Sequence, residues 1–360
     1  MKDRLLSVDV LRGLTIFFMI LVNTPGSWSY VYAPLRHAEW HGCTPTDLVF
    51  PLFLFISGVS MALSFNKYGS SSKKLLLRKI WKRALIIFLI GLFLNWFPFY
   101  NKNIADLRIM GVLQRIALAY AIGGSLIVLL KEQKVLIASG IILLGYQIAL
   151  VAYSSDPFSL ENNLARHLDL LIIGENHLYG GFGIPFDPEG ILHSFSAGIN
   201  VVLGYLMGRM IFQYNKKELV KNLSISGMGL IIAGVVWGFF FPINKPLWTS
   251  SYVLYSVGIG TVLWAVLVYV IDVLKKERWS YIFKVFGRNP LASYVLSILV
   301  VKVFFMVKIG EANLYSYLYQ NLFASWLGNL NGSLVFAISY VMFIWVFAWI
   351  LYLKNILIKI

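Results

Sequence analysis

The sequence predicts an all-α polytopic membrane protein of about ten transmembrane helices, with both termini in the cytoplasm. Three observations predict it. The 360 residues are 59% hydrophobic and only 13% charged, with a mean hydropathy of +0.74, whereas a soluble domain is about half apolar and a quarter charged. The apolar residues fall in runs of about 20, the length that crosses a bilayer as a helix. The basic residues gather in alternate connections, as the positive-inside rule requires.

Ten spans are expected at roughly 10–30, 47–66, 80–98, 110–130, 134–153, 190–212, 221–241, 252–273, 289–308 and 333–353. The runs are continuously apolar rather than alternating, which argues against a β-barrel. Helices satisfy every backbone group inside lipid. Met1–Arg12 is a short polar start, and the first apolar run has no small-residue cleavage pattern after it, so that run is expected to be a retained span. Residues 1–360 are expected to form a single transmembrane domain. The lone Cys43 excludes an intrachain disulfide and a multi-cysteine metal site.

Placing the N-terminus in the cytoplasm sorts the charges. Lys2, Arg4, Arg12, the Lys67–Arg83 cluster, Lys131, Lys134, Arg209–Lys221, Lys275–Arg288, Lys354 and Lys359 then lie inside, 23 of the 31 lysines and arginines. The net charge of +15 is thereby explained by topology, and no nucleic-acid partner is expected. The five histidines, His37, His41, His167, His177 and His193, fall on or near the extracytoplasmic side. The longest loop, about 154–190, lies on that side too. It holds a short helical pattern, SLENNLARHLDLLIIG, and then a Gly/Pro-rich turn region.

Four constellations carry chemistry. The first is RHAEWHG at 36–42, between the first two spans. His37 can act as a base near neutral pH. Asn23 closes the first span and Asp47 opens the second, placed to polarise a carbonyl or orient an imidazole. Trp28 and Trp40 could stack on a sugar face. A His37–His41 metal site is disfavoured by Gly42, by Pro45 and by Glu39 lying outside an H-E-x-x-H pattern, so no metal is expected. The second is LRIMGVLQR, where Arg108, Gln114 and Arg115 enter the fourth span, and charge within a span usually faces a cavity or a partner. The third is FDPEGILHSFSAGIN. Its Asp187 and Glu189 could read an amine or sugar hydroxyls, or cap the following helix, with His193 and Asn200 further in. The fourth is FPINKPLWTSSY, with Asn244, Lys245, Trp248, Ser250 and Ser251. On the cytoplasmic side, Arg12, the Lys73–Arg83 cluster including Arg83, and Arg288 with Asn289 could hold a phosphorylated ligand. No Walker loop, Rossmann fingerprint or G-x-S-x-G element is present.

In order, SVDVLRGLTIFFMILVN, RHAEWHG, TDLVFPLFLFISGVSMAL, RIMGVLQR, FDPEGIL and PINKPLWTSSYVL resemble the heparan-α-glucosaminide N-acetyltransferase family over nearly the whole chain. The chain looks like a compact bacterial member without the extra luminal domain. The resemblance implies acetyl transfer from cytoplasmic acetyl-CoA to the amine of a glucosamine-type sugar beyond the membrane. It places the family's active-site histidine on His37 and its asparagine on Asn23. His41 and His193 depart from the family pattern and inherit no role. Asp47 is then expected to orient His37 or bind the acceptor. Trp40, Arg108, Gln114, Arg115, Asp187, Glu189, Asn244, Lys245 and Trp248 are expected on the acceptor side. Arg12, Arg83, Arg288 and Asn289 are expected at the CoA phosphates. The expected partners are an amino-sugar or glycan acceptor and the lipid bilayer of the inner (cytoplasmic) membrane, with a homodimer left open. Two other readings stand: an amino-sugar transporter, although no internal repeat is evident, and an O-acetyltransferase of envelope polysaccharide.

Overall fold

The computed structural model of the chain describes residues 5–68, 72–100 and 103–358. Lys2, Arg4, Lys102 and Lys359 of the charge pattern lie outside the described residues. Each of the ten apolar runs contains a helix. These are α1 (Leu6–Asn23), α2 (Val49–Tyr68), α3 (Lys73–Trp96), α4 (Val112–Leu129), α5 (Glu132–Tyr153), α7 (His193–Gln213), α8 (Lys216–Gly238), α9 (Ser250–Leu267), α11 (Pro290–Met306) and α13 (Ser325–Leu353). Three shorter helices join them: α6 (Leu164–Ile172), α10 (Tyr281–Arg288) and α12 (Leu314–Leu318). A hairpin of two-residue strands, Lys308–Ile309 with Ala312–Asn313, interrupts this all-helical pattern.

By length and composition, 8 helices among the described residues can cross a membrane, or 9 if a bent pair counts as one span, against the ten expected. The difference has two physical sources. The first half of α3 carries Lys73, Lys74, Arg78, Lys79, Lys82 and Arg83, so only its second half is continuously apolar. The ninth span is α10 plus α11, bent by 78°. Pro290 opens α11, and a proline disfavours helical geometry at the residue before it, here Asn289.

Two distant side chains fix helix ends. Asp272, beyond the end of α9, accepts from the Leu6 and Ser7 amides at 3.1 and 3.3 Å, giving α1 the N-terminal acceptor that its own Leu5 lacks. Lys302 of α11 donates to the carbonyls of Leu94 and Phe97 at 2.5 and 2.8 Å, a cation on the negative end of α3.

The most extensive helix pairings are α8 on α9, α2 on α7, α3 on α4, α1 on α10 and α4 on α7. Lipid offers no hydrophobic drive for helices to pair, so small residues must let backbones approach. In the α2–α7 pair, a Cβ on Gly58 would lie 2.0 Å from the Val201 carbonyl, and one on Gly204 would lie 2.0 Å from that of Phe55. This contact holds α2, and the loop that precedes it, against the centre of the bundle.

Gly204→Val is therefore expected to lower stability by about 1–3 kcal/mol or more through overpacking. Gly140→Val, on an α5 face with open space around it, is expected to leave the thermal unfolding midpoint in detergent unchanged. Equal midpoints for the two variants would contradict this packing.

Candidate active site

The segment 36–42 is held in place before any of its chemistry is considered. Arg36 folds back to donate from Nε to the Val31 carbonyl at 2.7 Å. The Thr44 hydroxyl donates to the Arg36 carbonyl at 2.7 Å. Gly42 sits at φ +104°, the left-handed region that suits glycine. Its amide donates to the Ile243 carbonyl at 2.7 Å, and Gly42 pairs with Asn244 in an isolated parallel bridge. Asn244 reinforces the strap: its amide nitrogen donates to the Trp40 carbonyl at 3.0 Å and to His41 Nδ1 at 3.2 Å, and its oxygen accepts from the Leu247 amide at 2.7 Å. The loop between α8 and α9 thus lies directly on the loop between α1 and α2.

At this junction His37 Nδ1 is 2.6 Å from Asp47 Oδ1. Asp47 is 1% exposed and sits in the one-turn helix Pro45–Leu48 that leads into α2. Its Oδ2 accepts from the amides of Ala38 and Thr44, each at 3.0 Å. Lys245 Nζ lies 3.2 Å from Asp47 Oδ1 and 3.0 Å from His37 Nδ1. With Asp47 ionised, a 2.6 Å contact needs the imidazole proton on Nδ1, which leaves Nε2 as an acceptor.

His37 lines a cleft of about 100 Å³ with Asn23, Thr46, Phe50, Val112, Glu189 and Lys245, room for several waters. Asn23 ends α1 and donates one amide N–H to the Met19 carbonyl at 2.7 Å. Its second N–H remains to be donated. Cys43 is adjacent, but burial pushes its thiol up to about 12, with Asp47 adding to the shift and Lys245 opposing it. It stays a thiol at neutral pH and is a poor competing nucleophile. Burial lowers His41, with Asp156 opposing, and keeps that ring neutral.

A second cluster forms the far wall. Burial works against the charge of Arg108, yet Asp187 and Glu189 outweigh it and hold the guanidinium firmly protonated. Arg108 is bidentate to Asp187 at 2.8 and 2.8 Å, reaches Glu189 at 2.6 Å and covers the Tyr179 ring at 4.5 Å. Arg115, 0% exposed, stacks on Trp248 at 4.8 Å. Trp248 in turn packs edge-on to Phe50, with ring centroids 5.1 Å apart, and donates to Asn200 at 3.0 Å. Asp169 of α6 accepts from the Ile191 amide at 2.9 Å. Burial raises its carboxyl to about 7; the Ile191 bond opposes this, Asp187 adds to it and Arg115 opposes it.

The residues expected on the acceptor side thus separate. Glu189 and Lys245 reach the cleft. Trp40 stands beside it, donating to the Phe158 carbonyl at 2.7 Å and packing on Phe182 and Phe186. Gln114, Arg115, Asp187, Asn244 and Trp248 are 0–1% exposed, and Arg108 is occupied by its two carboxylates. These six form the layer behind the cleft rather than its surface. Full burial of the first five, and the two carboxylates on Arg108, are the physical reasons, and helix-end positions in a sequence do not reveal which side faces the cavity. His193 is also fully buried.

Of the residues expected at a phosphate, Arg12 donates to Ser60 Oγ at 2.7 Å and to the Gly287 carbonyl at 3.2 Å, joining α1 to α2 and α10. Asn289 secures the C-terminal tail through Ile356 and Ile358, both at 2.9 Å. Arg83 covers the Tyr120 ring at 5.0 Å. Arg288 lines a separate cavity of about 210 Å³ with Lys284, Leu6, Asp9 and Tyr352. Lys284 was missed. Its signal was present, because it lies one turn before Arg288 on the same short helix, at the spacing that puts two side chains on one face.

Fold and site together define a multi-helix membrane protein with an imidazole–carboxylate pair at one end of its bundle. The family model described as "Heparan-alpha-glucosaminide N-acetyltransferase, catalytic" matches residues 4–173. The heparan-alpha-glucosaminide N-acetyltransferase of Homo sapiens is 28% identical over 361 residues, covering 82% of this chain and 53% of that protein. The Mus musculus protein of the same name is 28% identical over 354 residues, covering 81% and 53%. The chain is thus similar to this family's catalytic region over its first half and to both relatives over most of its length, and it spans about half the length of these two relatives.

Asp169 gives a pH test of the far wall. Its folded-state carboxyl, at about 7, lies above the ordinary 3.8. The stability carried by that proton is complete below pH ~4 and is lost as pH climbs to about 7. At about 1.4 kcal/mol per pH unit the loss is at most about 4 kcal/mol. Thermal unfolding midpoints of the wild type are expected to fall across this window relative to those of Asp169→Asn. Parallel profiles would refute the assignment.

Proposed function

We propose that the protein is a transmembrane acetyltransferase. It moves an acetyl group from acetyl-CoA in the cytoplasm to the amine of a glucosamine-type sugar on the opposite face of the inner membrane. One observation carries the proposal: His37 and Asn23 line the same cleft from different elements, with buried Asp47 behind the imidazole. The names of the family and its relatives support it, and the positive-inside charge pattern supports this orientation.

His37 Nε2 takes the proton that the amine loses as the N–C bond forms, and returns it to the sulfur as the C–S bond breaks. A positioned base is worth about 10²–10⁴-fold. Asn23 offers its second N–H to the oxygen that gains charge at the carbonyl carbon, a donor role worth about 10²–10³-fold where measured. Asp47 fixes the tautomer. Glu189 gives the cleft a carboxylate for the acceptor's nitrogen or hydroxyls, while Arg108 holds that carboxylate in place.

Residues that fit the phosphates of the donor lie at the other end of α1. Leu6 and Asp9 belong to the Arg288–Lys284 cavity, whereas Met19, Val22 and Asn23 belong to the His37 cleft. Two cations beside a cavity of that size suit a nucleotide phosphate. Arg83 is the outlying member of this set, and Arg12 and Asn289 shape the cavity through the contacts already described.

Purified protein is expected to transfer label from acetyl-CoA to glucosamine. His37→Ala should lower kcat/KM by about 10²–10⁴-fold and Asn23→Ala by about 10²–10³-fold; full activity in His37→Ala would reject the assignment. Faster labelling of a hydroxyl acceptor would favour O-acetylation. Uptake of labelled sugar into proteoliposomes without acetyl-CoA would favour a transporter. Arg288→Gln with Lys284→Gln should raise KM for acetyl-CoA about tenfold or more with little change in kcat, a loss of binding equal in ground and transition states. An unchanged KM would place the phosphates elsewhere.

A further inference from the structure

Lys245 comes from the α8–α9 loop, far from His37 in sequence, yet its ammonium nitrogen is 3.0 Å from His37 Nδ1 and 3.2 Å from Asp47 Oδ1. The three groups form a small triangle. The shortest side decides its proton arrangement. Asp47 is an acceptor alone, and the ammonium is a donor alone. If Lys245 donated to Nδ1, the 2.6 Å contact between Nδ1 and Asp47 Oδ1 would set two lone pairs against each other. With the ring proton on Nδ1, both the imidazole and the ammonium donate to Oδ1, and the cost is confined to the Nζ–Nδ1 side, donor beside donor at 3.0 Å.

The second consequence is one of charge. Asp47, buried and holding two amide donors on Oδ2, attracts a second proton to the ring. A cation at 3.0 Å opposes that proton. Lys245 is only 19% exposed at its side chain, so water screens it weakly. The other charged groups around the ring are Glu189 across the cleft, itself held by Arg108, and Arg36 and Glu39 of its own segment. Lys245 is the cation in direct contact with the ring.

We propose that Lys245 is a positioning residue: Asp47 holds the ring proton on Nδ1, and Lys245, sharing Oδ1 with it, opposes a second proton on His37, so that Nε2 is a free base before the acceptor binds. The inference rests on the reading of His37 as the base, and it reassigns Lys245 from binding the acceptor to acting through His37 and Asp47.

The test follows the protonation of His37 directly and then its kinetic consequence. Diethyl pyrocarbonate modifies only uncharged imidazole. Its rate at His37 is read peptide by peptide from pH 5 to 9 in the full-length protein, with His177 as the control for folding. In Lys245→Met, and independently in Lys245→Gln, the midpoint at His37 is expected to move up by about one pH unit, the scale of a neighbouring charge. Lys245→Arg should restore the wild-type midpoint. The acid limb of kcat/KM for acetyl transfer should move by the same amount, so activity recovers at alkaline pH. An unmoved His37 midpoint in both neutral variants overturns the proposal. So does a raised acceptor KM with an unmoved acid limb, because that is the signature of a binding residue. If no variant, the wild type included, transfers acetyl, the proposed reaction fails while the labelling result still decides the role of Lys245.

Discussion

The site depends on one buried carboxylate. Asp47 accepts three hydrogen bonds from its own segment, from the Ala38 amide, the Thr44 amide and His37, and a fourth from Lys245 in a distant loop. A carboxylate out of water is costly unless its oxygens are filled. Asp47 therefore cannot be satisfied unless the α1–α2 connection folds over it and the α8–α9 loop closes against it. Its desolvation cost is the force that makes these two loops one structure. The Gly42–Asn244 bridge supplies the backbone register for that closure, and the glycine contact between α2 and α7 fixes where Asp47 itself stands.

The far wall follows the same logic with more charge. Arg108 and Arg115 meet Asp187, Glu189 and Asp169 in a largely dry volume. Two cations balance two carboxylates, so the third carboxyl is most stable protonated. Asp169 is the carboxyl that burial raises, while Asp187 has Arg108 bidentate on it. The Asp187-Pro188-Glu189 turn, which also reads as a helix cap from sequence, is therefore an electrostatic element. It binds Arg108 on one side and presents Glu189 to the cleft on the other.

Much of this was legible in the sequence because it is local. Asn23, His37 and Asp47 lie within 25 positions, and the break at NTPGSW forces them to one end of adjacent helices. The apolar runs located all ten helical segments, because the length of a run is imposed by the bilayer. The α10–α11 bend was less legible, since the apolar run begins after the bend and α10 itself is amphipathic. From sequence Lys245 reads as an acceptor-side cation, because nothing local indicates that Asn244 pairs with Gly42. Trp248 and Arg115 looked like cavity residues for a related reason. Sequence shows that a polar or aromatic group is deep, but the face it occupies is set by helix rotation, and here that face is the Phe50–Trp248–Arg115 stack behind the cleft.

The arrangement also bears on how a reaction can join two compartments. α1 has 18 residues, about 27 Å at 1.5 Å per residue, close to the thickness of the hydrocarbon core. Its first turns line the Arg288–Lys284 cavity and its last turn lines the His37 cleft. The helix is clamped at both ends, by Asp272 at its N-terminus and by the Gly26 and Ser27 contacts to Ser333 of α13 just beyond its C-terminus. In the proposed reaction this makes α1 a ruler. A donor whose phosphates sit at one end must present its reactive carbon one membrane-core thickness away, so a rigid α1 selects for a long, thin, flexible arm between a charged head and an acyl group. Rigidity at α1 and the closure of two loops over Asp47 are then two parts of one requirement: the acyl carbon and the base must arrive at the same place from opposite sides of the membrane.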